Sequence, residues 1–170
     1  MMRSKERMRK LVYVGVLSSL AIVMGYLEQM IPLPVSFPGV KIGLSNICVI
    51  LALYRLGYKS ALGVSIIKSI VCGILFWGVG GTLYGVAGAV LSFIIMALLE
   101  KKGFFGTVGI SIAGALFHNI GQLIALFILS GSFSFVYYLS VLGISSVITG
   151  TITGVISGII IERTRHIGRS

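Results

Sequence analysis

Six apolar stretches follow one another along this chain and leave little room for anything else. They cover residues 11–31, 42–54, 60–76, 83–99, 108–129 and 135–161. A membrane-spanning helix needs about 20 mostly apolar residues, so six of them nearly exhaust a chain of 170 residues. The hydrophobic content of 56% exceeds what a soluble domain needs for its core. The sequence therefore predicts an all-α integral membrane bundle of six transmembrane helices, which forms a single domain over residues 1–170.

Lysine and arginine are unevenly distributed among the connections. They occur in the amino-terminal segment 1–10, in the connection that contains Arg55, in the connection that contains Lys101 and in the tail 162–170. The connections WGVGGT and SGSFSF carry none. Because cytoplasmic loops are enriched in these residues, the pattern predicts a multi-pass protein of the cell membrane with both termini in the cytoplasm. The formal charge of +10 is thus a topology signal, and its spread over four segments argues against nucleic-acid binding.

Several polar side chains fall at membrane depth. Lys68 lies near the centre of the third stretch, where a charge costs about 2.5–3.5 kcal/mol on insertion scales. His118, Asn119 and Gln122 crowd the fifth stretch, and Glu28 lies at the outer end of the first. One interpretation is a ligand cavity to which these groups converge. The other is structural: Lys68 pairs with Glu28, and the group in the fifth stretch hydrogen-bonds neighbouring helices.

The connection between the first two stretches contains every proline of the chain, Pro32, Pro34 and Pro38, followed by Lys41. Proline fixes φ, so this segment is expected to be extended and stiff. A rigid loop that holds one cation over the outer opening suits a lid for an anionic ligand. The alternative is a loop that stops the helix and whose lysine reaches the membrane interface.

Small residues repeat at helical spacing in several stretches. The last stretch has them at every fourth position: Ser146, Gly150, Gly154 and Gly158. In lipid, such residues allow helix backbones to approach closely, and packing within the bundle is the expected use here. Near the cytoplasmic end of the first helix, the small residues Gly15, Ser18 and Ser19 form a surface that could instead receive another protein.

The residue types do not favour an enzyme or a metal site. Enzymes that act on diphosphates commonly use carboxylate-held magnesium, yet the chain has no aspartate and only four scattered glutamates, Glu6, Glu28, Glu100 and Glu162. Cys48 and Cys72 lack the spacing of metal ligands. No Walker A motif is present, so ATP-driven work would need partner subunits. We expect no catalytic activity, no cofactor and no bound metal.

Three motifs occur in order along the chain: PGVKIGLSN, FWGVGGTLYGVAGAVLSFIIM and GALFHNIGQL. Together with the six short spans, they resemble the Gx transporter family, also labelled heptaprenyl diphosphate synthase component I. That family is similar in size and layout to the substrate-binding S components of energy-coupling factor (ECF) transporters. The resemblance implies an outward-facing ligand site that is closed by the loops after helices 1, 3 and 5. It also implies that small residues of helix 1 contact a membrane coupling subunit.

Carried onto this sequence, the motifs imply ligand contacts at Lys41, Ser45, Asn46, Trp77, Tyr84, His118, Asn119 and Gln122. The expected function is that of an S component, which captures a small anionic or amphipathic, vitamin-like molecule from outside. Partner subunits, a membrane coupling protein and cytosolic ATPases, would then drive uptake. Two alternatives remain open: a membrane accessory subunit of heptaprenyl diphosphate or quinone synthesis, and a stand-alone carrier driven by an ion gradient.

Overall fold

The computed structural model describes residues 2–31, 42–131 and 139–164, and this part of the chain contains five α-helices and no strand. The helices are α1 (Met2–Met30), α2 (Leu44–Leu56), α3 (Tyr58–Lys102), α4 (Thr107–Ser130) and α5 (Leu139–Arg163). All except the 13-residue α2 are long and apolar enough to cross a membrane. The predicted helical membrane bundle is confirmed. The described residues form four helices that are long and apolar enough to cross a membrane, whereas six were expected. The difference arises because α2 is short and because α3 contains two of the predicted stretches.

The 45-residue helix α3 is not a straight rod. Gly78 has φ +67° and ψ −167°, a conformation outside the helical region that glycine adopts at little cost. A Cβ atom on Gly73 would lie 2.6 Å from the Cα atom of Thr82, although an unbroken helix would separate these residues by about 13 Å. The chain therefore reverses direction at Gly78, and α3 consists of a first arm (58–77) and a second arm (79–102) that pack side by side.

The short helix α2 forms the centre of the bundle. It contacts all four other helices, and five of its residues are at most 4% exposed. These residues are Cys48, Val49, Ile50, Ala52 and Leu53. A helix with apolar side chains all around is stable when other helices enclose it. By contrast, α1 leaves many large apolar side chains uncovered, as expected for a helix that faces lipid.

Small residues bring the second arm of α3, α4 and α5 into close contact. A Cβ atom on Gly121 of α4 would lie 2.8 Å from the Cα atom of Gly88, and one on Gly154 of α5 would lie 2.6 Å from the Cα atom of Val108. Real Cβ atoms do not come this close to a backbone, so these contacts require glycine. The predicted packing role of the small residues in the last helix is thus confirmed at Gly154.

Replacing Gly154 by alanine should lower the thermal stability of the bundle, because α4 would have to move away from the new methyl group. Overpacking of this kind typically costs about 1–3 kcal/mol. Gly143 on the same helix is the matched control, since a Cβ atom there would meet no atom within 4 Å. Thermal unfolding in detergent should show a lower melting temperature for Gly154→Ala and an unchanged or slightly raised one for Gly143→Ala. Equal melting temperatures would show that this contact is looser than described.

Hydrogen bonds join several helix ends at one end of the bundle. The guanidinium of Arg55, at the end of α2, donates to the carbonyl oxygen of Ile161 and to the hydroxyl of Thr164, at 2.6 Å each. The hydroxyl of Tyr58, where α3 begins, donates to the carboxylate of Glu100 near the end of α3. These ends belong to the segments that the distribution of lysine and arginine assigns to the cytoplasm.

Candidate ligand cavity

A cavity of about 420 Å³ lies among the helices, away from the end that contains Arg55. Nine of the ten residues expected from the sequence to contact a ligand line it: Glu28, Ser45, Asn46, Lys68, Trp77, Tyr84, His118, Asn119 and Gln122. The tenth, Lys41, lies outside the described residues, as does the proline-rich connection. The structure therefore brings the nine together around one space, and their contact with a ligand stays a prediction.

Two buried charges of the cavity wall are attached to the first turn of α2. Glu28 and Lys68 are each 7% exposed. The Oε1 atom of Glu28 accepts a hydrogen bond of 2.6 Å from the backbone N–H of Gly43. The Nζ atom of Lys68 donates to Ser45 Oγ at 3.1 Å and to Asn46 Oδ1 at 2.6 Å. One acid from α1 and one base from the first arm of α3 are thus held by the same four-residue segment.

The backbone at Gly43 explains how this segment reaches Glu28. Gly43 immediately precedes α2 and adopts a left-handed conformation with φ +80°, which few other residues tolerate. Its carbonyl oxygen accepts a hydrogen bond of 2.8 Å from the N–H of Asn46, which closes the first turn. The free N–H groups at a helix start carry partial positive charge, so a carboxylate is stabilised there. Glu28 therefore caps α2 from another helix.

Asn119 connects α4 to α5 as well as lining the cavity. Its Nδ2 atom donates to Ser146 Oγ at 2.8 Å, with a longer contact of 3.4 Å to the carbonyl oxygen of Leu142. Asn119 therefore hydrogen-bonds a neighbouring helix, as the structural interpretation of the fifth apolar stretch expected. A substitution at Asn119 would disturb the packing of two helices as well as the cavity.

His118 and Gln122 lie one helical turn apart on α4, and both line the cavity. Their helix packs closely against the second arm of α3, because a Cβ atom on Gly88 would lie only 2.6 Å from the carbonyl oxygen of His118. The glycine allows α4 to approach until these two side chains border the cavity. His118 is consequently positioned by this close packing, and its imidazole Cε1 atom would lie 3.2 Å from the same Cβ atom.

The remaining wall is largely apolar. It includes the side chains Phe76, Trp77, Tyr84, Leu123, Leu126 and Leu142. Aromatic rings of this kind cover apolar parts of a ligand, while a few polar groups fix its orientation. The cavity combines such a wall with the charged turn of α2, and it therefore suits a small molecule with both apolar and charged parts.

Several cavity residues were not among those that the sequence predicted to contact a ligand: Gln29, Gly43, Ser69, Cys72, Phe76 and Thr149. Cys72 could have been found, because it follows Lys68 by four positions and hence lies on the same face of the helix. It is partly exposed, whereas Cys48 is buried in the core. Gly43 contributes through its backbone N–H, which no pattern of side chains indicates.

The small residues of α1 divide between two faces. Gly15 and Ser19 are exposed, and a Cβ atom on Gly15 would meet no atom within 4 Å. Ser18 is only 4% exposed and shares a face with the fully buried Ala21, three positions further on. Of the three residues expected to contact a partner, Gly15 and Ser19 are therefore accessible, whereas the side chain of Ser18 packs inside the bundle. Contact of these residues with a partner stays a prediction.

Residues 17–160 match the family described as heptaprenyl diphosphate synthase component I. The chain belongs to this family. The match to the component I family, also called the Gx transporter family, extends from the second half of α1 to α5 and includes every residue of the cavity wall. A comparison with curated proteins and one with solved structures give no match. The family and the apolar helices together make the chain a multi-pass membrane protein.

Proposed function

We propose that this component I protein is the substrate-binding membrane subunit of an ECF-type transporter. The observation that carries the proposal is the cavity of about 420 Å³ inside a membrane bundle, with an apolar wall and a charged turn. Small-molecule sites usually measure about 300–1,000 Å³ and combine these features. The predicted occupant is a small anionic or amphipathic, vitamin-like molecule that enters from outside.

ATP-driven transport by this chain would require a partner that hydrolyses ATP. The sequence contains no Walker A motif with which to bind ATP. Gly15 and Ser19 form an exposed small-residue surface on α1 that bulky side chains of another membrane protein could approach closely. We therefore assign this surface to a membrane coupling subunit that works with cytosolic ATPases.

In the proposed subunit, the chain crosses the membrane six times. The two arms of α3 would cross separately, since the chain reverses at Gly78. With 13 residues, α2 measures about 20 Å, less than the hydrocarbon core, but the surrounding helices shield it from lipid. The hydrogen bonds from Arg55 and Tyr58 join ends that this scheme places on the cytoplasmic side.

Cysteine labelling tests this topology. In a variant without Cys48 and Cys72, a cysteine introduced at Ser132 should react in intact cells with a maleimide that does not cross membranes. A cysteine at Gly103 should react only after the membrane is opened. Reaction of both positions from the same side would rule out the six-crossing scheme.

A second candidate function follows from the family description, which names a component of a synthase. Catalysis by this chain itself is a poor fit, because its four glutamates are scattered and Glu100 is engaged by Tyr58. The alternative is accordingly an accessory subunit that anchors a soluble prenyl diphosphate synthase at the membrane. A stand-alone carrier driven by an ion gradient is the third possibility.

Native mass spectrometry of the purified protein tests the binding function. We expect a fraction of the protein to retain a small molecule that fits about 420 Å³. The same measurement on a preparation stripped in detergent and then exposed to a mixed small-molecule extract should restore that mass. Protein that carries no added mass in either preparation would count against a substrate-binding subunit.

A further inference from the structure

The cavity wall contains both a carboxylate and an ammonium group, and both are more than nine-tenths buried. Glu28 and Lys68 reach the cavity from different helices and are bound to neighbouring residues of one turn, Gly43 on one side and Ser45 with Asn46 on the other. Charges inside a membrane protein are expensive and mark functional sites. Their joint placement bears on the charge of the molecule that occupies the cavity.

The carboxylate of Glu28 keeps hydrogen-bonding capacity toward the cavity. A carboxylate can accept about four hydrogen bonds through its two oxygens, and Oε1 accepts one from the N–H of Gly43. Among the described residues, only the hydroxyl of Ser18 is a fully enclosed side-chain polar atom without a hydrogen-bond partner. The second oxygen of Glu28 is thus not sealed inside the protein, and the residue lines the cavity. The N–H of Gly43 is neutral, so this hydrogen bond does not cancel the negative charge of the carboxylate.

We propose that the occupant is a zwitterion, with an anionic group at Lys68 and a cationic N–H group at Glu28. This inference rests on the proposed binding function and adds the second charge to it. The turn of α2 sets the two poles side by side, while the rings of Trp77 and Tyr84 cover the apolar body. A purely anionic molecule would be repelled by Glu28, and a purely cationic one would be repelled by Lys68.

The test uses charge-sorted pools of small molecules from yeast extract. Ion exchange at low and high pH separates neutral, purely anionic, purely cationic and zwitterionic pools, and each pool is added to the full-length protein in detergent. The zwitterionic pool should raise the melting temperature of the wild-type protein the most. Native mass spectrometry then identifies the bound mass and measures its affinity.

Glu28→Gln removes the charge but retains an oxygen that can accept from the N–H of Gly43. Loss of a charge-assisted hydrogen bond should weaken binding of that mass by about 10- to 100-fold. Glu162→Gln is the matched control, because Glu162 is exposed at the end of α5, and it should bind as the wild type does.

The possible outcomes separate this inference from the function on which it rests. If the purely anionic or purely cationic pool stabilised the protein at least as much as the zwitterionic pool, the zwitterion would be overturned but a binding subunit would remain. Equal affinity of the wild type and Glu28→Gln would have the same consequence. If no pool stabilises the protein or adds a bound mass, the binding function itself fails, and the zwitterion fails with it.

Discussion

Replacing Gly15 and Ser19 of α1 together by leucine is expected to abolish assembly with the coupling subunit and to stop uptake. Both positions are exposed, and a Cβ atom on Gly15 would meet no atom within 4 Å. The two leucines therefore do not overpack the bundle, but they would keep the backbone of a partner helix at a distance. Binding by the isolated chain should remain nearly normal, because these residues are not among those that line the cavity.

The matched control lies on α5, where Val147 and Thr151 are likewise exposed and one turn apart. Val147→Leu with Thr151→Leu should assemble and transport as the wild type does. Co-purification, melting temperature and bound small molecule are measured on both double variants. A Gly15/Ser19 variant that loses stability and bound molecule together would show that these residues pack inside the bundle, and unaffected uptake would remove the partner surface from the account.

Lys68→Met should reduce the amount of small molecule retained by the purified protein by at least about 30-fold. Removing one partner of a buried, hydrogen-bonded charge pair typically costs about 2 kcal/mol or more. The substitution also releases Ser45 and Asn46 from their hydrogen bonds to the lysine, so the turn of α2 would lose one of its attachments. His118→Ala and, in the undescribed connection, Lys41→Ala should weaken binding to a lesser degree.

Lys59→Met serves as the control for Lys68→Met, because Lys59 is exposed near the start of α3, away from the cavity. Native mass spectrometry gives the retained fraction for each variant, and thermal unfolding shows whether the bundle survives. A folded Lys68→Met protein that retains its molecule as the wild type does would refute an anion-binding role for this lysine.

The sequence predicted the class of fold and most of the polar side chains of the cavity, because both depend on residue type. Long apolar segments require helices in a membrane, and polar residues within them, such as Lys68 and His118, point inward. The reversal of α3 was anticipated as a connection between two helices, although its position at Gly78 depends on a backbone angle. The turn that joins Glu28 to Gly43 could not be predicted, since it depends on a backbone N–H.

The orientation of α1 was the least predictable feature. Apolar residues surround this helix on nearly every side, so the pattern does not indicate which face meets the bundle. Only packing against α2 and α3 turns Ser18 inward and leaves Gly15 and Ser19 outside. For a soluble helix, polar residues would have marked the outer face, but in lipid both faces are apolar.

The most direct test of the proposed function is to identify the proteins that co-purify with the tagged full-length chain from its own membranes. The account predicts a membrane coupling subunit and ATPases in stoichiometric amounts, and it predicts that Gly15→Leu with Ser19→Leu removes them while Val147→Leu with Thr151→Leu does not. Stoichiometric recovery of a soluble prenyl diphosphate synthase without ATPases, unaffected by the α1 substitutions, would contradict it.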